Sequence, residues 1–190
     1  MKSIKGLYKI GLGPSSSHTM GPSFAAAEFL KISPQADFIK VTLFGSLSKT
    51  GKGHGTDRAI KETFSNIEHE IIFDLKTETP VHPNTLEFIA FKNNTEIGRK
   101  RYYSIGGGEI KTDNSELYIE KQIYSQNKFS QIASTCKSQN IRLSDYVFQH
   151  EESDIKSYLM TVWKTMQNSI NEGLSKNGIL PGGLSVERKA

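Results

Sequence analysis

The sequence predicts an α/β fold: a mixed sheet with flanking helices through about residue 150, followed by a helical segment over 151–190. Three observations carry that prediction. A β-branched and aromatic run, Phe38 to Phe44, breaks at Gly45 into a glycine-rich stretch, and Ala59, Ile60, Thr63, Phe64 and Ile67 follow at helical spacing. Two more strand-like runs lie at 70–75 and 85–91. Beyond Asn127 only helical patterns continue.

Taken in order, a first glycine-rich loop, Gly11 to Pro22, runs into a helix over Phe24 to Leu30, where Pro22 suits a first helical turn and the alanines favour the interior. Ser33-Pro34 ends it. The strand at Phe38 to Phe44 leads into a second glycine-rich loop that closes at Gly55, ahead of the second helix. Asn93-Asn94 predicts a tight turn between the run ending at Phe91 and a strand over Thr95 to Ser104, because Asn tolerates the left-handed backbone. Gly106-Gly107-Gly108 then interrupts that strand. Ser130 and Ser144 are candidate helix caps. Ile155, Tyr158, Leu159, Val162, Trp163, Met166 and Ile170 share one face of a helix capped by Ser153 or Asp154, a stripe that predicts core or interface. The last residues, Gly178 to Ala190, read as an ordered loop with nothing to pack against, the pattern of a segment continuing into a further domain.

Composition excludes several functions. Of 190 residues 36% are hydrophobic, enough for a real core, and no apolar run approaches the roughly 18 residues a membrane helix needs. The expectation is a cytoplasmic protein with no signal peptide and no membrane partner. Lysine and arginine total 24 against 20 acidic residues, with no basic block longer than Arg99-Lys100-Arg101, so no nucleic-acid partner is expected. The single cysteine, Cys136, excludes an internal disulfide, a thiolate zinc site and any iron–sulfur cluster held by this chain alone. It shares a helix face with Ile132 and Ala133, which predicts a buried, inert thiol.

Three glycine-rich segments carry the chemistry. In the first, the hydroxyls of Ser15, Ser16, Ser17 and Thr19, beside free backbone N–H groups at a helix start, suit an anion such as a carboxylate or phosphate. His18 among them is either a proton carrier or a surface group beside a capping cluster. The second runs from Gly45 to Asp57. Its Gly-Lys pair fails the phosphate-loop spacing because Gly53 stands where Ser or Thr must bind magnesium, which excludes nucleotide hydrolysis. Gly51, Gly53 and Gly55 let the backbone approach a ligand while Lys52 and His54 project, and Asp57 is placed to orient His54. In the third, Ser104 precedes Gly106-Gly107-Gly108, as a ligand group or as part of a strand bulge. His82-Pro83-Asn84 reads first as turn chemistry, and His69 and His150 as structural or surface groups. No G-x-S-x-G elbow is present, which disfavours a metal-free Ser/His hydrolase.

Gly13-Pro14-Ser15-Ser16-Ser17-His18-Thr19, Gly51-Lys52-Gly53-His54-Gly55-Thr56-Asp57, His82-Pro83-Asn84 and Tyr103-Ser104-Ile105-Gly106-Gly107-Gly108, in that order, resemble the β domain of bacterial iron–sulfur L-serine dehydratases. Leu180-Pro181-Gly182-Gly183-Leu184 and Arg188-Lys189-Ala190 resemble the junction with the α domain of that family. Glu109 departs from the apolar or aromatic residue expected after the glycines.

The resemblance implies a fold similar to the allosteric substrate-binding domain of some phosphoglycerate dehydrogenases. It divides the chain into a β domain at 1–150 and, at 151–190, a helical linker with the start of the catalytic α domain. It implies conversion of L-serine to pyruvate and ammonia in serine catabolism, with a four-iron four-sulfur cluster serving as Lewis acid. The cluster ligands belong to the α domain or subunit, the implied partner, within a homodimer; this chain binds no cofactor and is inactive alone. By motif, His54, His18 and Ser104 take catalytic places, while Ser15, Ser16, Ser17, Thr19, Lys52, Asp57 and Asn84 bind substrate. Which histidine is the base stays open. The alternative is a regulatory module binding an anion or amino acid without catalysis.

Overall fold

A computed structural model describes residues 1–113, 122–180 and 185–188. The chain forms two compact units, one of residues 11–117 and one of residues 1–10 together with 118–190.

The first unit is built on a five-stranded sheet. Its strands are β1 (Phe38–Leu43), β2 (Glu68–Phe73), β3 (Thr85–Lys92), β4 (Thr95–Gly106) and β5 (Glu109–Thr112), in spatial order β2-β1-β3-β4-β5. The β1–β2 pair is parallel and the other pairs are antiparallel, so the mixed sheet expected from the sequence is present. Strict alternation along β1 turns Ile39, Val41 and Leu43 to one face, where Leu86, Phe88, Ala90 and Tyr102 of the neighbouring strands join them. That face is covered by α1 (Gly21–Ile32), α2 (Gly45–His54) and α3 (Thr56–Thr63), through Ala25, Ala26, Phe29, Leu47, Ile60 and Phe64.

Two features differ from the sequence expectation. The glycine-rich stretch after β1 is a helix, α2, rather than a loop. Its glycines lower its propensity, and packing compensates: Leu47 is fully buried, Thr50 Oγ1 donates to the Ser46 carbonyl at 2.8 Å, and Ser48 Oγ donates to that of Gly45 at 2.9 Å. Gly55, at φ +67°, ends α2 in the left-handed conformation and starts α3 at once. The third glycine cluster makes the hairpin between β4 and β5, with φ of +104°, +59° and +72° at Gly106, Gly107 and Gly108 and a register shift between Ser104 and Gly106. The Asn93-Asn94 turn forms as expected, both residues having positive φ.

The second unit contains α4 (Phe129–Gln139), α5 (Leu143–His150), α6 (Ile155–Ser175) and a two-residue bridge between β6 (Gly178–Ile179) and β7 (Glu187–Arg188). So short a bridge leaves no alternation for a sequence to show. The helices start earlier than Ser130 and Ser144 suggested, after Lys128 and Arg142, and the Arg142 N–H donates to Asp145 Oδ2 at 3.0 Å. Asp154 stands at the N-cap of α6 without capping it; its carboxylate meets Lys5 instead. Tyr124, Ile132 and Tyr146 make a small core, with Cys136 half-buried beside it rather than enclosed. His150 stacks on Tyr124 at 5.4 Å and lies tilted against Tyr146 at 4.3 Å between centroids, a structural place. Among the described residues no helix is long and apolar enough to cross a membrane.

Candidate active site

The first loop reaches the sheet unit through Ser15, whose extended backbone and side chain open a single π-helical turn, Ser16–Met20, that continues directly into α1. Ser15 Oγ accepts the His18 N–H at 3.1 Å, and the Ser16 carbonyl accepts the Gly21 N–H. His18 is thereby held at the head of α1 with its ring turned toward α2.

Two threonines clasp the loops together. The fully buried Thr19 donates from Oγ1 to the His54 carbonyl at 2.7 Å, and Thr56 Oγ1 donates to the His18 carbonyl. Each histidine's backbone is thus gripped by the threonine that follows the other histidine. The grip needs close packing: a Cβ on Gly51 would stand 3.0 Å from Thr56 Oγ1. The outcome is a pair of imidazoles with ring centroids 4.7 Å apart.

The two rings are in different chemical situations. His18 has both nitrogens engaged, Nδ1 with Ser17 Oγ and Nε2 with Ser46 Oγ, each at 3.0 Å. Burial, then the neighbouring His54, hold its pKa below the ordinary histidine value, so it is neutral at pH 7. His54 Nδ1 lies 3.0 Å from the Thr50 carbonyl, which can only accept, so the proton sits on Nδ1. The unprotonated Nε2 of a neutral His54 is therefore the ring's basic atom.

Ser104 lies beside the first loop. It is fully buried, and its Oγ would be 2.0 Å from a Cβ at residue 21, so only glycine fits there. Ser104 N donates to the Asn84 carbonyl at 2.9 Å, and Asn84 Nδ2 returns a bond to the Ser104 carbonyl at 3.2 Å. Among the described residues Ser104 Oγ and Asn84 Oδ1 are buried without a hydrogen-bond partner, two unspent polar oxygens in one place. His82 acts as a turn residue, its Nδ1 accepting the Asn84 N–H at 3.0 Å. His69 likewise binds its own neighbourhood, the Ile67 carbonyl.

Not every candidate converges here. Lys52 is exposed, with its ammonium 5.2 Å from the centroid of the Phe73 ring. Asp57 does not orient His54: α3 begins at Thr56, which turns the Asp57 carboxylate along the helix toward Lys61 at 4.0 Å, while Thr50 takes the orienting place. Ser46, Thr50 and Thr56 are the residues that sequence reasoning passed over. Ser46, Thr50 and His54 are spaced four apart, a signal visible only once the segment is read as a helix. At the head of α2 a cleft of about 570 Å³ opens, lined by Ser46, Lys49, Thr50, Lys76, Thr79 and Pro83 among others.

Among the described residues no group of three or more His, Cys, Asp or Glu side chains could hold a metal ion. The one cysteine lies on α4, in the other unit, so this chain's donors do not fit an iron–sulfur cluster.

The family model described as serine dehydratase beta chain matches residues 3–66 and 61–115, more than half of the chain. An L-serine dehydratase of Haemophilus influenzae is 32% identical over 242 aligned positions, covering 100% of this chain and 53% of that protein. L-serine dehydratase 1 of Escherichia coli is 29% identical, with 100% and 53% covered. An L-serine dehydratase of Streptomyces coelicolor is 27% identical, with 99% and 53% covered. The chain spans about half the length of the curated relatives it matches.

Proposed function

Since this chain belongs to the serine dehydratase beta chain family, we propose that it is the β portion of an L-serine ammonia-lyase that converts L-serine to pyruvate and ammonia. The observation that carries the reading is the threonine-clasped histidine pair, in which the Thr50 carbonyl on Nδ1 leaves His54 Nε2 as the basic nitrogen. Such a nitrogen suits removal of the weakly acidic α-proton of an amino acid.

In this proposal His54 Nε2 takes the α-proton, and the Thr50 carbonyl steadies the imidazolium through Nδ1–H. His18, neutral and held at both nitrogens, keeps the partner ring in place and adds no competing positive charge. The hydroxyls of Ser15, Ser16 and Ser17 receive the substrate carboxylate. Thr19 serves through the clasp, its proton being committed to the His54 carbonyl. Ser104 and Asn84 supply unspent oxygens beside the loop. A four-iron four-sulfur cluster, which the donors of this chain do not fit, would be held by an α portion, as domain or separate subunit, and would supply Lewis-acid chemistry at the substrate hydroxyl. The partition into 1–150 and 151–190, a cytoplasmic homodimer and inactivity of the isolated chain belong to the same proposal.

A second reading, a regulatory module for an anion or amino acid, draws support from the cleft at the head of α2 with Lys49 and Lys76 on its wall. One experiment separates the two. A cluster-bearing α portion is mixed anaerobically with this chain and pyruvate is assayed, with and without His54→Ala. Activity that collapses in the variant supports catalysis; activity unaffected by the variant supports regulation.

A further inference from the structure

The geometry points to Ser46 as a positioning residue for His18: its hydroxyl on Nε2, opposite Ser17 on Nδ1, fixes the His18 ring against His54. Only the catalytic meaning of this inference rests on the serine dehydratase reading; the clamp itself is a property of this chain.

The sequence builds Ser46 into place from three sides. Gly45 adopts φ +53°, and a Cβ there would stand 2.4 Å from the Pro83 carbonyl oxygen, so glycine is what lets the chain turn sharply out of β1. The Ser46 N–H then donates to that same Pro83 carbonyl at 2.8 Å, and the Ser46 carbonyl accepts Thr50 Oγ1 at 2.8 Å. With N–H and C=O both anchored, the Ser46 backbone is fixed, and its hydroxyl lies 3.0 Å from His18 Nε2. The Thr50 carbonyl, one helical turn on, takes the equivalent role for His54 Nδ1. One helix, α2, therefore sets the orientation of both rings, although only His54 belongs to it.

Ser46 also lines the cleft at the head of α2. Removing the hydroxyl leaves His18 Nε2 without its partner and the ring anchored by Ser17 alone, whose place on the neighbouring residue fixes the ring's angle poorly. His18 then turns away from His54.

The test is nuclear magnetic resonance of the full chain with ¹³C,¹⁵N-labelled histidine, at a pH where both rings are neutral, with His18 assigned by its loss in His18→Gln. The native chain is expected to show cross-relaxation between the carbon-bound ring protons of His18 and His54, a contact that the 4.7 Å centroid separation requires. Ser46→Ala is expected to lose that contact and shift the His18 ring nitrogens, and Ser46→Thr, which keeps the hydroxyl, to restore both. An unchanged contact and unchanged ring nitrogens in a folded Ser46→Ala chain overturn the inference. If Ser46→Ala fails to fold, the native spectrum decides, because absence of the ring contact there overturns it equally. None of these outcomes depends on dehydratase activity, so failure of the clamp and failure of the proposed reaction are told apart.

Discussion

The sheet unit and the helical unit solve the burial problem differently. In the sheet unit, α1, α2 and α3 lay a continuous apolar surface on one face of the sheet, and Phe88 at its centre touches three aromatic rings: Phe29 at 5.2 Å, Phe64 at 5.7 Å and Tyr102 at 5.6 Å between centroids. In the helical unit the buried aromatic and aliphatic cluster is three side chains, with Ile155 and Val162 buried on α6, and polar groups hold the segments around them. Glu151 accepts from Ser3 Oγ at 2.6 Å, Ile4 N–H at 2.9 Å and Tyr124 O–H at 2.5 Å, while Lys5 pairs with Glu152 and Asp154. The apolar stripe of α6 is buried at Ile155 and Val162 and open at Trp163 and Ile170, about half exposed at 50% and 55%. The glycine loops and histidines sit on the unit with the self-sufficient core. The imidazole pair proposed for catalysis needs that rigidity.

The sharpest way to break this comparison is Phe88→Ala. It removes a fully buried ring and is expected to destabilise the sheet unit by about 3–5 kcal/mol, read by urea unfolding. A loss of less than about 1 kcal/mol would show that the core is not the support of this unit.

Glu151→Ala comes next, at about 1–3 kcal/mol for each donor left buried and unsatisfied. Hydrogen exchange should rise at Ile4 and along α5 and stay unchanged in β1 and β3. The pH dependence has a defined sign. Burial alone pushes the Glu151 carboxyl up, but the bonds from Ser3, Tyr124 and Ile4, with Lys5 nearby, outweigh it and hold the pKa below the ordinary carboxylate value. Its contribution is therefore full above that ordinary value and is lost as pH falls through the lowered one.

Gly21→Ala is expected to cost about 1–3 kcal/mol by overpacking, since the new methyl would collide with Ser104 Oγ. Thermal melts of the chain check it, and a neutral result would mean that Ser104 moves freely. The smallest effect is expected from Ile170→Ser on the open part of the α6 stripe. There the isolated chain should change by no more than about 0.5 kcal/mol; a larger loss would show that the stripe is already buried.

How far the sequence could be read follows the same division. Strands β1 to β4 were visible because alternation and β-branching are local, and Asn93-Asn94 named its own turn; β5, β6 and β7, of four residues or fewer, were too short to show a pattern. Helix α2 was not visible, because its glycines lower helix propensity and the contacts that outweigh this, Leu47 in the core and Thr56 against Gly51, come from distant packing. In the site, His18, His54 and Ser104 stood out by residue type and setting, while Asn84 read as turn chemistry and came in only through the resemblance. The clasp did not, since Thr19 with His54 and Thr56 with His18 are pairings across two loops. Asp57 drew attention by nearness in sequence to His54, and the start of α3 carries it elsewhere. The α6 stripe was read as core or interface, and it divides: Ile155 and Val162 are buried, while Trp163, Met166 and Ile170 are exposed.

The most direct test of the central claim is pyruvate formation from L-serine by this chain combined anaerobically with a cluster-bearing α portion, comparing native chain, His54→Ala and His18→Gln. Loss of nearly all activity in a stably assembled, cluster-loaded His54→Ala enzyme, with a smaller loss for His18→Gln, is the predicted result. Undiminished pyruvate formation in His54→Ala would contradict the account.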